Sequence, residues 1–229
     1  MRGGGLTRVG EGLVGAALIA GAVLTPFLRS RRSRWGATDS EIEQAWPGDD
    51  LVPHPRWQWT HAVTIEASSA DVWPWLAQLG QGRGGFYSYE FLENLVGCDI
   101  HNADRIIPEL QRLEVGDEIK VHPKTPGLPV AMVEPARALV LHAETSSLGT
   151  DGADFPEATP EQHVKVSWSF ILDEAGRGTT RLISRYRVDH SGGFRNELSY
   201  GPWFVEPIGF VMDRKMLKGI KQRAEARTG

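Results

Sequence analysis

Cysteine is almost absent. Cys98 stands alone in 229 residues, which excludes an intramolecular disulfide and a zinc ribbon. An excess of one charge is also missing: the net charge is −4, so the chain lacks the basic footprint of a nucleic-acid binder and no nucleic-acid partner is expected. No histidine pair at helical spacing and no cysteine pair suggests a strong metal site, and no cofactor is expected. There is no internal repeat. No apolar run reaches a full bilayer thickness. The run Leu13 to Leu28, LVGAALIAGAVLTPFL, is uncharged but just short of the ~17–25 residues of a spanning helix. What the chain has in quantity is tryptophan, eight in all, which suits a core or the wall of an apolar pocket.

The apolar run is followed at once by Arg29, Arg31, Arg32 and Arg34. This pattern predicts a single-pass anchor through residues 13–28, with the domain on the cytoplasmic side. Two alternatives stand beside it: export after signal-peptide cleavage near Ala20-Gly21-Ala22, and a peripheral or disordered tail. The expected organisation is an anchor with basic flank over 1–34, a linker and lead-in over 35–56, and a globular domain over 57–227. Within the lead-in, Thr38 or Asp39 caps a short helix through Ala45, with Glu41 in its first turn.

In the domain, Trp59, His61, Val63 and Ile65 alternate with polar partners and predict a strand. Ser68-Ser69-Ala70-Asp71 opens a helix, expected to start late because Pro74 is tolerable only in a first turn. A second helix fits Ser88 to Val96, with Phe91, Leu92 and Leu95 inward and Glu90, Glu93 and Asn94 outward. Strands are expected at Ile119–His122, Val130–Glu134, Ala138–Glu144, Val164–Leu172 and Thr180–Arg187. Ser146–Gln162 reads as a polar loop, and a loop with Gly192-Gly193 leads to the last element. From about Glu206, Ile208, Val211, Met212, Met216 and Ile220 repeat at helical spacing. The order is strand, two helices, antiparallel strands, long C-terminal helix. That is an α+β class protein, with room for a ligand between helix and sheet.

The chemically capable side chains concentrate between Leu79 and Glu109. Arg83 sits among four glycines, 80, 82, 84 and 85. It fits an anionic head group, or simply a flexible connection. Tyr87 and Tyr89 have hydroxyls to orient a ligand, or are core residues with wet tips. Asp99, His101 and Asp104 form an Asp-x-His-x-x-Asp group. It fits acid–base chemistry or ligand contact, a divalent metal, or local turn capping together with Asn102. Trp168, with Trp73 and Trp75, suits a cavity wall or a core. Arg185 and Arg187 share one strand face. If buried, they need acidic partners, with Glu93 or Asp99 as candidates. Cys98 reads as an inert thiol.

The strand leading into ADVWPWL, the segment VEPARALVL and the pair WSFILD and TRLISRYR resemble the START-like, Bet v1-like superfamily. It is also labelled SRPBCC, or polyketide cyclase/dehydrase and lipid transport. The resemblance runs from about Trp57 to Glu225, and Gly82 to Ile106 resembles a bacterial subgroup with an N-terminal hydrophobic segment. It implies a helix-grip fold, with an antiparallel sheet wrapped around a long C-terminal helix. It also implies a hydrophobic ligand, lipid-like or polyketide-like, in a cavity under that helix. The expected ligand contacts are Arg83, Tyr87, Tyr89, Glu93, Asp99, His101, Asn102, Arg105, Trp168 and Arg185. A second reading is a cyclase or dehydratase, with His101 as base, Tyr87 or Tyr89 as acid, and Arg185 or Arg187 steadying an enolate. A third is an interaction module at the membrane without ligand. Catalysis requires His101 and a tyrosine to converge on one cavity wall. An interaction module requires a filled interior and an exposed apolar patch.

Overall fold

The computed structural model describes residues 3–144 and 163–228. The loop expected at Ser146–Gln162 lies outside the described residues. Seven helices are described: α1 (Gly3–Leu24), α2 (Arg29–Arg32), α3 (Asp39–Glu43), α4 (Ser69–Ala77), α5 (Glu90–Leu95), α6 (Phe194–Tyr200) and α7 (Val205–Thr228). The strands are β1 (Trp57–Ile65), β2 (Glu118–Ile119), β3 (Leu128–Glu134), β4 (Ala138–Glu144), β5 (Val164–Gly176) and β6 (Thr179–His190). They form one antiparallel sheet in the order β1-β6-β5-β4-β3-β2. The long helix α7 packs on its inner face, so the architecture is the expected α+β helix grip.

Side-chain alternation gives this sheet a floor made of rows. Trp59, Tyr186 and Trp168 are register partners across β1, β6 and β5. The next inward row is His61, Ser184 and Phe170, and the one after is Val63, Leu182 and Leu172. The floor therefore runs from aromatic, through partly polar, to aliphatic. The aliphatic end joins Val72, Leu76, Leu217, Ile220 and Ala224 from α4 and α7 in the main core.

Several elements depart from the sequence expectation. Helix α4 starts at Ser69 and keeps Pro74 inside it. The Ser68 side chain caps the helix by accepting from the Asp71 N–H, which helps to offset the one hydrogen bond that proline cannot make. Strand β2 is only two residues long, Glu118 pairing with Pro129 and Ile119 with Leu128, rather than the expected Ile119–His122. The segment after Gly193 contains a further helix, α6. Helix α5 is turned relative to its expected faces. Leu95 is 72% exposed, whereas Glu93 has a buried oxygen. The reason is tertiary: α1 packs across Phe91 and Leu92, so close that Gly12 and Gly15 have no room for a Cβ.

Residues 36–56 cross the outer face of the sheet. Trp46 and Ala37 pack on Ala62, Ile171 and Ile183. The helix α3 within this segment has the expected capping box between Thr38 and Glu41. Here lie the partners of the strand arginines. Asp49 Oδ1 accepts from Arg185 Nε at 2.7 Å and lies 3.3 Å from Arg187 Nη1. Glu93 and Asp99, the acids suggested by sequence, are on other elements and play no part in these ion pairs. Arg181 likewise pairs with Glu41 at 2.8 Å. Residues 33–35 run along the edge of β1, where Thr60 N–H donates to the Ser33 carbonyl and Ala62 N–H to that of Trp35. An edge strand is thereby covered.

Removing Asp49 leaves two buried guanidinium groups without their carboxylate. Asp49→Ala is expected to destabilise the fold by about 3–5 kcal/mol, read as a fall in the urea midpoint. A change below about 1 kcal/mol would mean that these arginines are solvated.

Candidate functional site

A cavity of about 230 Å³ lies between the aromatic row of the sheet and α7. Trp59, Tyr186 and Trp168 form its floor. Gly209, Met212, Asp213 and Met216 on α7 form its roof. Phe86, Ser88, Glu93, Cys98 and Val121 close its side. Val121 is half exposed and marks the end facing solvent. The rings are held by one another. Trp59 stacks on Tyr186 with centroids 4.4 Å apart and on His61 at 5.3 Å, and Phe86 lies over Trp168. Gly209 lets α7 approach Trp59: a Cβ there would lie 2.6 Å from the indole. Burial pushes the Tyr186 phenol well above its ordinary value, so it stays neutral.

Behind the aromatic row runs a buried polar chain. His61 Nδ1 lies 2.5 Å from Asp213 Oδ2, and Nε2 lies 3.0 Å from the Arg32 carbonyl. Ser184 donates to Asp213 Oδ1 at 2.8 Å and accepts from the Trp168 indole N–H at 3.0 Å. Both imidazole nitrogens thus face oxygen atoms of other elements. The chain fixes the Trp168 ring at the cavity floor. Sequence reading missed His61, Asp213, Trp59 and Tyr186 as site residues. The legible signal was Asp213, an acid within the apolar stripe of α7.

Two cavity-lining residues, Glu93 and Trp59, carry a buried polar atom without a hydrogen-bond partner among the described residues, the Trp59 indole nitrogen being one. Glu93 Oε2 is the other. Burial, with repulsion from Glu90, pushes the Glu93 carboxyl from 4.5 up to about 7. Cys98, beside it, has a thiol raised by burial and by the Glu93 charge, which makes it a poor nucleophile.

The other expected site residues have structural occupations. Arg83 donates to the Ala77 carbonyl at the end of α4 and to the Leu110 carbonyl, and so ties the helix to the later connection. Tyr87 has φ 56° and a buried phenol that donates to the Trp75 carbonyl at 3.1 Å. Tyr89 packs with Ala22 and Val211 near α1. Asn102 is a clasp: its Oδ1 accepts from Tyr87 N–H at 2.6 Å and its Nδ2 donates to the Ser88 carbonyl. His101 is 75% exposed and pairs with Asp99 at 3.2 Å. Asp104 instead accepts from Arg223. Arg105 is exposed, and Arg185 faces the outer segment. Of the expected ligand contacts, Glu93 and Trp168 line the cavity. The convergence of His101 with a tyrosine on one wall, required for the acid–base alternative, is not met. The polar side chains around residue 100 turn outward or bind backbone.

The fold and site define an α+β helix-grip protein with an aromatic cavity under its C-terminal helix. No protein-family profile and no curated protein matches the chain in sequence. Among solved structures, it is similar to a conserved protein from Geobacillus kaustophilus, at 12% identity and a TM-score of 0.40. That match covers 75% of this chain and 97% of the other. An aromatase/cyclase from Streptomyces is 14% identical with a TM-score of 0.32, over 77% and 97%. A norcoclaurine synthase point mutant from Thalictrum is 13% identical with a TM-score of 0.36, over 76% and 96%. At such identities and TM-scores the likeness does not extend to ligand or reaction.

The raised Glu93 carboxyl makes stability pH-dependent in a definite direction. Between pH 4.5 and about 7 the folded state holds a proton that the unfolded state has released, so stability falls as pH rises through this window. The favourable contribution is complete below pH 4.5 and gone above about 7. Its size is at most about 3 kcal/mol. Glu93→Gln is expected to abolish this component, seen as a gain over the parent in urea denaturation near pH 8 and little difference near pH 4. Parallel pH profiles for the two proteins would contradict the buried placement.

Proposed function

We propose that the chain binds an apolar small molecule in the cavity between the sheet and α7. The observation that carries this reading is the cavity itself. Its wall is almost wholly aromatic, aliphatic and thioether, and apolar lining of this kind favours ligand over water. Binding takes precedence over catalysis because the cavity lacks the paired histidine and tyrosine of the acid–base reading. An interaction module without ligand would call for a filled interior. The full-length protein is expected to bind naphthylmethanol with one-to-one stoichiometry in native mass spectrometry. Met212→Trp, which puts an indole into the cavity, is expected to reduce that affinity at least tenfold while the circular dichroism spectrum is retained. Equal binding by Met212→Trp would place the ligand elsewhere.

A separate observation supports a lipid partner. Among the described residues no single helix is long and apolar enough to cross a membrane. Only the pair Val9–Leu24 and Pro26–Arg32, bent by 91°, reaches the composition together. Helix α1 instead folds against α5 and α7, with its small residues inward. Its outward face exposes Leu13, Val14, Leu18 and Leu24, continued by Phe27. Arg32 is taken up by Glu206 at 2.7 Å and Arg34 by Asp39, leaving Arg29 and Arg31 beside this face. We propose that the face lies in the interfacial layer of a membrane, on the cytoplasmic side, with Arg29 and Arg31 toward anionic head groups. Sedimentation with phosphatidylcholine–phosphatidylglycerol vesicles is expected to carry the protein down. Leu18→Glu together with Phe27→Glu is expected to reduce the bound fraction at least tenfold. Binding unchanged by the double substitution would contradict this reading.

A further inference from the structure

The cavity has a charge preference. Among the described residues no lysine, arginine or histidine lines it, whereas two carboxylates do, Glu93 and Asp213. Asp213 is already matched by His61 and Ser184. Glu93 is not: its Oε2 is buried and without a hydrogen-bond partner among the described residues. Leaving such a group unpaired is costly in a low-dielectric site. Trp59, Phe86, Trp168 and Tyr186 line the same cavity, and aromatic rings carry the negative part of their quadrupole on their faces.

Three ligand classes can be compared on this wall. A carboxylate or phosphate would meet a like charge with nothing to neutralise it. A neutral hydrocarbon would fill the space and leave the Glu93 oxygen unpaired. A protonated nitrogen would give Oε2 a charge-assisted donor and lie against aromatic faces that attract cations. Size narrows the choice further. At about 230 Å³ the cavity is below the ~300–1,000 Å³ usual for drug-sized ligands, which suits a small ring system better than a long lipid chain.

We propose that the cavity binds a small apolar amine, with its hydrocarbon skeleton among the rings and its ammonium group on the Glu93 carboxylate. This rests on the ligand-binding reading above and narrows it to a chemical class. No covalent step is involved. Glu93 acts as a counter-ion and orienting group, and Cys98 and the His61–Asp213 pair stay as they are.

The test is calorimetry on the full-length protein near pH 8 with three probes of one skeleton: naphthylmethylamine, naphthylmethanol and naphthoic acid. The amine is expected to bind at least about tenfold more tightly than the alcohol, and the acid not to bind measurably. Glu93→Gln is expected to bring the amine down to the affinity of the alcohol. The circular dichroism spectrum of that variant is expected to be retained, which shows that its fold is intact. Equal affinities of amine and alcohol in the parent would overturn the amine class while leaving the cavity reading in place. A preference for the amine that survives Glu93→Gln would overturn the role of Glu93. Failure of all three probes to bind would overturn both the class and the cavity reading.

Discussion

The contact between His61 and Asp213 is the point on which the molecule turns. It joins β1 to α7 inside the fold, away from water, at a separation of 2.5 Å. From it the polar chain extends both ways: outward to the Arg32 carbonyl, and inward through Ser184 to the Trp168 indole. Arg32 in turn donates to Glu206 at the start of α7 through two buried hydrogen bonds. The N-terminal segment, the edge strand, the centre of the sheet and the long helix are therefore held by one connected set of buried polar groups. Such a set tolerates few alternatives, because any shift of α7 by a helical turn would leave a buried charge without its partner.

That registration creates the cavity. With Asp213 fixed over the polar row, the next turn of α7 toward its N-terminus, Gly209 to Met212, falls over the aromatic row. Glycine and methionine there do not fill the space above Trp59, Tyr186 and Trp168. On the other side of Asp213, Leu217, Ile220 and Ala224 meet the aliphatic row and seal it. The boundary between ligand space and core thus falls just beyond Asp213, at Met216, which lines the cavity and also joins the main core. The outer segment, residues 36–56, makes the reverse face equally specific: it gives Asp49 to the strand arginines, so the sheet is buried on both faces.

The polar-rich stretch around residue 100 has a different role from the one its composition suggests. Asn102, Arg83 and Gln78 spend their hydrogen bonds on backbone groups of a long irregular connection. A buried loop has many such groups to satisfy, and side chains on the loop itself are the nearest supply. Arg223 completes the arrangement from α7, donating to the Ala103 carbonyl and lying over the Tyr87 ring. Chemical capability was legible there, but its direction was not, since a histidine that faces solvent and one that faces a cavity are identical in a sequence.

The sequence by itself determined most of the elements and the inner faces of the central strands. Period-two alternation in Trp59–Ile65 and Val164–Leu172 placed Trp59, His61 and Trp168 on one side of their strands. The stripe from Ile208 to Ile220 defined α7, and Ser68 and Thr38 marked two helix starts. These are local consequences of backbone geometry and burial, and they act over a few residues. Only the tertiary structure decided how faces met. It rotated α5 so that Glu93 turned inward and Leu95 outward, because α1 packed across it. It gave Arg185 its partner in Asp49, 136 positions away in the chain, and His61 its partner in Asp213, 152 positions away. Pairings of this kind depend on the three-dimensional registration of helix and sheet, and no local spacing encodes that.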